Sequence, residues 1–245
     1  MAWLIIDNSN TRTKFALGDE RALGAWRGVL PTPDVSSSSL EALLAGVDFS
    51  AVIIGSVVPA KAIELEKFFA ARVPFHFLGH QSPLDMGIDY PEPQKIGADR
   101  LANAVGVLAR HGAPAIVIDF GTAVTFDVIS AEPAYCGGVI APGLGAMLGY
   151  LPQKTALLPA IDLEEPASAI GKSTEHAMQV GAVIGYRGLV REIIAKIRAE
   201  LAGEPKIIAT GGDAELIARG LPEIQEVDAD LTLEGLRLVA ARVFV

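Results

Sequence analysis

Apolar runs and polar breaks alternate along the chain in an order that occurs twice. Leu4-Ile5-Ile6 and Ile116-Val117-Ile118 are apolar and rich in β-branched residues. Each run ends on an aspartate, Asp7 or Asp119, and short polar residues follow before alternation resumes through Lys14 or Asp127. A β-hairpin with an acidic lip is predicted at both places. Such a turn offers backbone N–H groups and hydroxyls that can cradle a phosphate, and its aspartate can hold the accompanying cation. Either copy alone reads more readily as ordinary turn chemistry. The recurrence changes the weighing, because the two aspartates stand 112 positions apart, about the size of one small α/β domain.

The remaining elements fall around these hairpins. In the first half, strands are predicted over residues 3–7, 14–17 and 25–30, and a helix runs from an N-cap at Ser39 to Gly46. An apolar strand at 51–58, a helix from Pro59 to Arg72 and a strand at 75–78 follow. A long loop, 80–96, leads to a helix opened by Gly97-Ala98-Asp99-Arg100 and closed by His111-Gly112-Ala113-Pro114. The second half repeats the plan: hairpin, a strand at 134–141, a helix from Pro142-Gly143-Leu144-Gly145, a polar segment at 153–173, and a long helix over 174–200. A strand at 206–209, the turn Thr210-Gly211-Gly212-Asp213-Ala214, a helix to Gly220, a short strand and a helix over 231–244 complete it. Three antiparallel strands followed by alternating helix and strand is a ribonuclease H-like order. The predicted fold is therefore α/β, with two ribonuclease H-like domains, residues 1–114 and 115–245, and a nucleotide cleft between them.

Composition narrows the function classes. With 51% hydrophobic and 20% charged residues the chain can fill a core, and the net charge of −9 argues against nucleic-acid or anionic-membrane surfaces. The single cysteine, Cys136, excludes an intramolecular disulfide and reads as a small core residue. No basic region precedes the first apolar run, Asp7 interrupts that run early, and no run suits a bilayer span, so a cytoplasmic protein is expected.

Two familiar nucleotide signatures fail. Pro166 occupies the first glycine position of the P-loop that Gly171-Lys172-Ser173 would close, and Leu148 replaces the third glycine of a Rossmann fingerprint after Gly143. Asp99 and Arg100 share the first turn of a helix. The dipole there favours the carboxylate and disfavours the guanidinium, so Arg100 is expected to reach for an anion elsewhere. The glycines of Thr210-Gly211-Gly212-Asp213-Ala214 let a flat ligand approach the backbone, although a tight turn capped by Asp213 is the plainer reading. Ala177, Gly181 and Gly185, four apart, form a small-residue stripe suited to close helix packing.

Taken together and in order, these stretches resemble the type III pantothenate kinases, of the acetate-and-sugar-kinase, Hsp70 and actin superfamily. The matching residues are Asp7 to Lys14, Gly97-Ala98-Asp99-Arg100, Asp119 to Asp127, Gly137 to Gly143, Thr155 to Pro159, Gly171 to Thr174 with Ala177, and Thr210 to Ala214. The resemblance implies a duplicated actin-like ATPase fold that transfers the γ-phosphoryl group of ATP to the 4′-hydroxyl of pantothenate, the first step of coenzyme A biosynthesis. It implies Mg²⁺ and a monovalent cation, K⁺ or NH₄⁺, and a homodimer. By motif, Asp7 would hold the hydrated Mg²⁺, and Asn10, Thr11 and Lys14 the phosphates, with Asn8, Ser9, Arg12 and Thr13 in the same loop. Thr122 would bind another phosphate oxygen, Asp119 the monovalent cation, and Gly211 and Gly212 the nucleotide. Asp99 would accept the hydroxyl proton, while Tyr90, Gly97, Ala98, Asp99, Arg100 and Thr174 bind pantothenate.

One departure stands out. The family's first motif carries an apolar residue and then glycine after the aspartate, where this chain has Asn8 and Ser9. If that turn requires positive φ, Ser9 strains it by about 1 kcal/mol and crowds a phosphate. Two rival functions follow from the same resemblance: a non-catalytic regulator like the Bvg accessory factor, and a kinase of this fold acting on another small hydroxy acid.

Overall fold

The computed structural model describes all residues, 1–245. By their internal contacts they form two compact units: Met1–Gly112 with Pro133–Cys136 and Asp230–Val245, and Ala113–Glu132 with Gly137–Ala229.

The first unit is built on β1 (Trp3–Asn8), whose six residues are all buried. β2 (Arg12–Gly18) and β3 (Leu23–Pro31) follow antiparallel, while β4 (Ala51–Ser56) and β5 (Phe75–Phe77) run parallel, giving the order β3-β2-β1-β4-β5. Period-two alternation sends Trp3, Ile5 and Ile53 into one core and Leu4, Ile6, Val52 and Ile54 into another. This two-sided burial is why β1 and β4 read as unbroken apolar runs. α1 (Ser37–Leu43) and α2 (Pro59–Phe69) supply Leu40, Leu65, Phe68 and Phe69 to the second core. α3 (Ala98–His111) covers the first together with the chain's last helix, which contributes Leu233, Leu236 and Val239. α1 begins earlier than its sequence suggests. Ser36 is the N-cap and forms a capping box with Ser39 at the third helical position, so Ser39 serves as the reciprocal partner. A short strand, β6 (Gly87–Ile88), pairs in parallel with Ala134–Tyr135 inside the same unit.

The second unit repeats the topology. β7 (Ala115–Phe120) and β8 (Ala123–Ile129) make the second hairpin, with β9 (Ala134–Pro142) beside β8. β10 (Lys206–Gly211) and β11 (Glu226–Val227) add parallel strands on the far side of β7, in the order β9-β8-β7-β10-β11. α4 (Leu144–Lys154), α5 (Thr174–Glu200) and α6 (Ala214–Ala218) precede α7 (Leu231–Val243), the last helix, which belongs to the first unit. Val183, Tyr186, Val190 and Ile194 lie buried on α5, and Ala182, Tyr186, Val190 and Ile194 pack against Ile116, Ile118 and Phe120 of β7. The polar segment between α4 and α5 is tied down by Glu165, which takes a two-pronged contact from Arg187 of α5. Arg187 also donates to the carbonyls of Leu216 and Ile217, and its hydrogen bonds hold the Glu165 carboxyl below its ordinary range. Cys136 is partly buried, not a fully enclosed core residue; its thiol donates to the Ala134 carbonyl.

Candidate active site

In the first unit the β1–β2 hairpin carries Asp7 at the end of a buried strand, with its carboxylate enclosed. Ser9 Oγ donates to Asp7 Oδ1 at 2.8 Å, and Lys14 Nζ lies 3.6 Å from Oδ2, across the strand pair from Asp7. Burial raises the Asp7 pKa, while Lys14 and Ser9 act against the rise. Asn10, Thr11 and Arg12 form the exposed rim of the turn. Asn8 and Thr13 differ from them. Their side chains are buried and bonded to one another, Asn8 Nδ2 to Thr13 Oγ1 at 2.8 Å, and so are turned to bracing the turn from behind. Ser9 is not in the positive-φ region, where the only non-glycine residue is Asp85. The strain foreseen at Ser9 is therefore absent, because its backbone adopts a conformation any residue reaches, and its hydroxyl is directed to Asp7.

The second element of this unit is the start of α3. Gly97 is the N-cap, and a Cβ there would lie 2.5 Å from Asp99 Oδ1, so glycine makes room for the carboxylate. Asp99 accepts from the Arg100 amide at 2.8 Å. Its pKa is raised, chiefly by burial and further by the charge of Asp7; the backbone bond and Arg100 lower it. Two carboxylates that sense one another suit a hard cation and a proton acceptor in one neighbourhood. Arg100 stacks over the buried ring of Tyr135, 5.8 Å from its centroid, and Tyr90 meets the same ring edge-on at 6.2 Å. Ala98 is buried beneath this turn. Tyr135 is the residue that sequence reasoning missed. Its strand reads as core, and only the pairing of β6 with Ala134–Tyr135 brings it beside the Tyr90 loop.

In the second unit Asp119 is the penultimate residue of β7, and Thr122 sits exposed in the β7–β8 turn, its carbonyl accepting from the Gly143 amide at 3.2 Å. Gly211 closes β10 with φ +96°, and a Cβ on it would meet the Phe120 carbonyl at 2.5 Å and Asp119 Oδ1 at 2.6 Å. A carboxylate and a carbonyl oxygen thus border one small space, a donor set that fits a hard cation. Gly212 and Asp213 lead into α6, where Asp213 sits at the N-cap without a side-chain cap bond. Tyr186 donates to the Pro142 carbonyl at 3.1 Å; burial, aided by the charge of Asp213, pushes its pKa up to about 12, so it stays a neutral donor. Thr174 is the first residue of α5 and is exposed. No helix is long and apolar enough to cross a membrane.

The sequence model of the family described as type III pantothenate kinase matches residues 3–196. A type III pantothenate kinase of Akkermansia muciniphila is 57% identical over 240 residues, covering 98% of each chain. Among solved structures, a Baf family protein of Campylobacter jejuni matches with a TM-score of 0.66 at 18% identity, covering 98% of both chains. The activator of 2-hydroxyisocaproyl-CoA dehydratase from Clostridium difficile, solved with bound ADPNP, matches with a TM-score of 0.56 at 12% identity, covering 99% of this chain and 95% of that one. At such identities the structural matches show the fold alone, a duplicated ribonuclease H-like fold of the actin-like ATPase and sugar-kinase kind. The sequence relatives show more: this chain belongs to the type III pantothenate kinase family.

Proposed function

We propose that the protein transfers the γ-phosphoryl group of ATP to the 4′-hydroxyl of pantothenate, giving 4′-phosphopantothenate and ADP, the first step of coenzyme A biosynthesis. Family membership supplies the reaction. The observation that carries the residue assignment is Asp99, a carboxylate with a raised pKa in the first turn of α3, flanked by Arg100 and sensing Asp7.

In this reading Asp99 accepts the proton as the hydroxyl oxygen bonds to the γ-phosphorus and the bridge to the β-phosphate breaks. Phosphoryl transfer needs little covalent help from the protein, so alignment of the hydroxyl by Asp99 counts at least as much as its basicity. Arg100, Tyr90, Gly97, Ala98 and Thr174 bind pantothenate, with the guanidinium taking its carboxylate. Ser9, the exposed rim Asn10 to Arg12, and Lys14 hold the phosphates, as does Thr122, and Gly211 and Gly212 the adenosine end. Asp7 fits a hydrated Mg²⁺, which when bound neutralises charge on the phosphate oxygens; Asp119 beside the Phe120 carbonyl fits a monovalent cation, K⁺ or NH₄⁺.

The protein also forms a homodimer in this account. Gly181 and Gly185 of α5 have open space over them, and an apolar groove of about 470 Å³ between α4 and α5 is lined by Met147, Leu148, Leu151 and Met178. A second copy would cover that face. Asp99→Asn tests the assignment: turnover should collapse while circular dichroism and ATP binding persist, and a variant that keeps its rate would remove Asp99 from the chemistry.

A further inference from the structure

We propose that Thr32, in the short 3-10 turn after β3, is a positioning residue for the loop Ser9–Arg12, setting the shape in which that loop meets the ATP phosphates. The proposal rests on the reading of this loop as a phosphate site.

Thr32 holds the loop at two points. Its hydroxyl donates to the Ser9 carbonyl at 2.6 Å, and its amide donates to the Thr11 carbonyl at 3.0 Å. Behind it runs a chain of side-chain hydrogen bonds whose direction is fixed by chemistry. A carbonyl can only accept, so the single Thr32 proton goes to Ser9, and Thr13 must donate to Thr32 across their 3.0 Å contact. Thr13 in turn accepts from Asn8 Nδ2 at 2.8 Å, and Asn8 Oδ1 accepts from Ser56 at 2.6 Å. Ser56 is anchored by the Val58 amide, just before α2. Every proton in the series points towards the Ser9 carbonyl. Asn8, Thr13 and Thr32 are exposed by 1%, 0% and 2%, so water cannot replace a lost partner.

The chain therefore links three strands of the first unit, β1, β2 and β4, and the 3-10 turn after β3 to one peptide group of the hairpin turn. Its geometry is that of a brace. Removing the Thr32 hydroxyl leaves a buried donor on Thr13 without an acceptor and frees the Ser9 peptide to rotate, which moves the loop amides that a phosphate would meet.

The test compares Thr32→Val, which keeps the shape and loses the hydroxyl, with Thr32→Ser, which keeps the hydroxyl, in the full-length protein. Steady-state kinetics should show the ATP KM of Thr32→Val raised about tenfold and its pantothenate KM changed by less than about twofold, with Thr32→Ser close to wild type. An unchanged ATP KM in Thr32→Val would overturn the role of Thr32, as would equal rises in both KM values that track a falling Tm in both variants. A wild-type enzyme that does not saturate with ATP would overturn the reading of the loop itself, and the role of Thr32 with it.

Discussion

Ser9 Oγ donates to Asp7 Oδ1 at 2.8 Å, so the residue standing where the family carries glycine is joined directly to the carboxylate assigned to Mg²⁺. Asp7 is enclosed and its pKa is raised by burial, and the Ser9 bond is one of the contacts that oppose the rise. The substitution thus supports the ionised carboxylate instead of straining the turn.

Ser9→Ala should therefore weaken the Mg²⁺ response. A net hydrogen bond of about 1 kcal/mol corresponds to roughly a fivefold rise in the Mg²⁺ concentration giving half-maximal rate. A titration of rate against Mg²⁺ at saturating ATP checks it. An unchanged or lower requirement would mean that the hydroxyl does not support Asp7.

Gly97→Ala should lower kcat about a hundredfold with little change in global unfolding. The added methyl would stand 2.5 Å from Asp99 Oδ1, so the carboxylate must rotate out of its place or the first turn of α3 must shift. Ordinary turnover by Gly97→Ala would show that the position of Asp99 is not critical.

Asp99 carries a stability signature that is independent of activity. Burial and the charge of Asp7 raise its pKa above 3.8, so the folded protein holds that proton more tightly than the unfolded chain does. Its favourable contribution is fully present below 3.8 and is lost as pH rises through the raised value. Asp99→Asn should then melt at a higher temperature than wild type at pH 7, with the gap closing as pH falls towards 3.8. A gap that is reversed, or constant with pH, would contradict the raised pKa.

Much of this was legible in the chain. The two hairpins announce themselves because a strand buried on both faces is apolar nearly throughout, so the aspartates one residue before the ends of β1 and β7 stand out sharply. The first turn of α3 was readable because Asp99 and Arg100 obey opposite helix-dipole rules side by side. Other features depend on long-range packing. The apolar stripe of α7 says that it covers a sheet, not that the sheet is the one built on β1. Tyr135 looks like any core aromatic until β6 pairs beside it and brings Tyr90 and Arg100 to its ring. Ser9 appears strained only if the turn is assumed to need positive φ, and backbone angles in a turn of this length are set by its braces. Thr32 was invisible for the same reason: twenty-three residues separate it from the carbonyl it holds.

The most direct measurement is a coupled ADP-release assay with ATP, Mg²⁺ and pantothenate, run in K⁺ and again with Na⁺ alone. Pantothenate-dependent ADP release that needs K⁺ is the predicted result, joining the reaction, the acceptor and the cation role of Asp119. ADP release indifferent to pantothenate, or none at all in K⁺, would contradict the account.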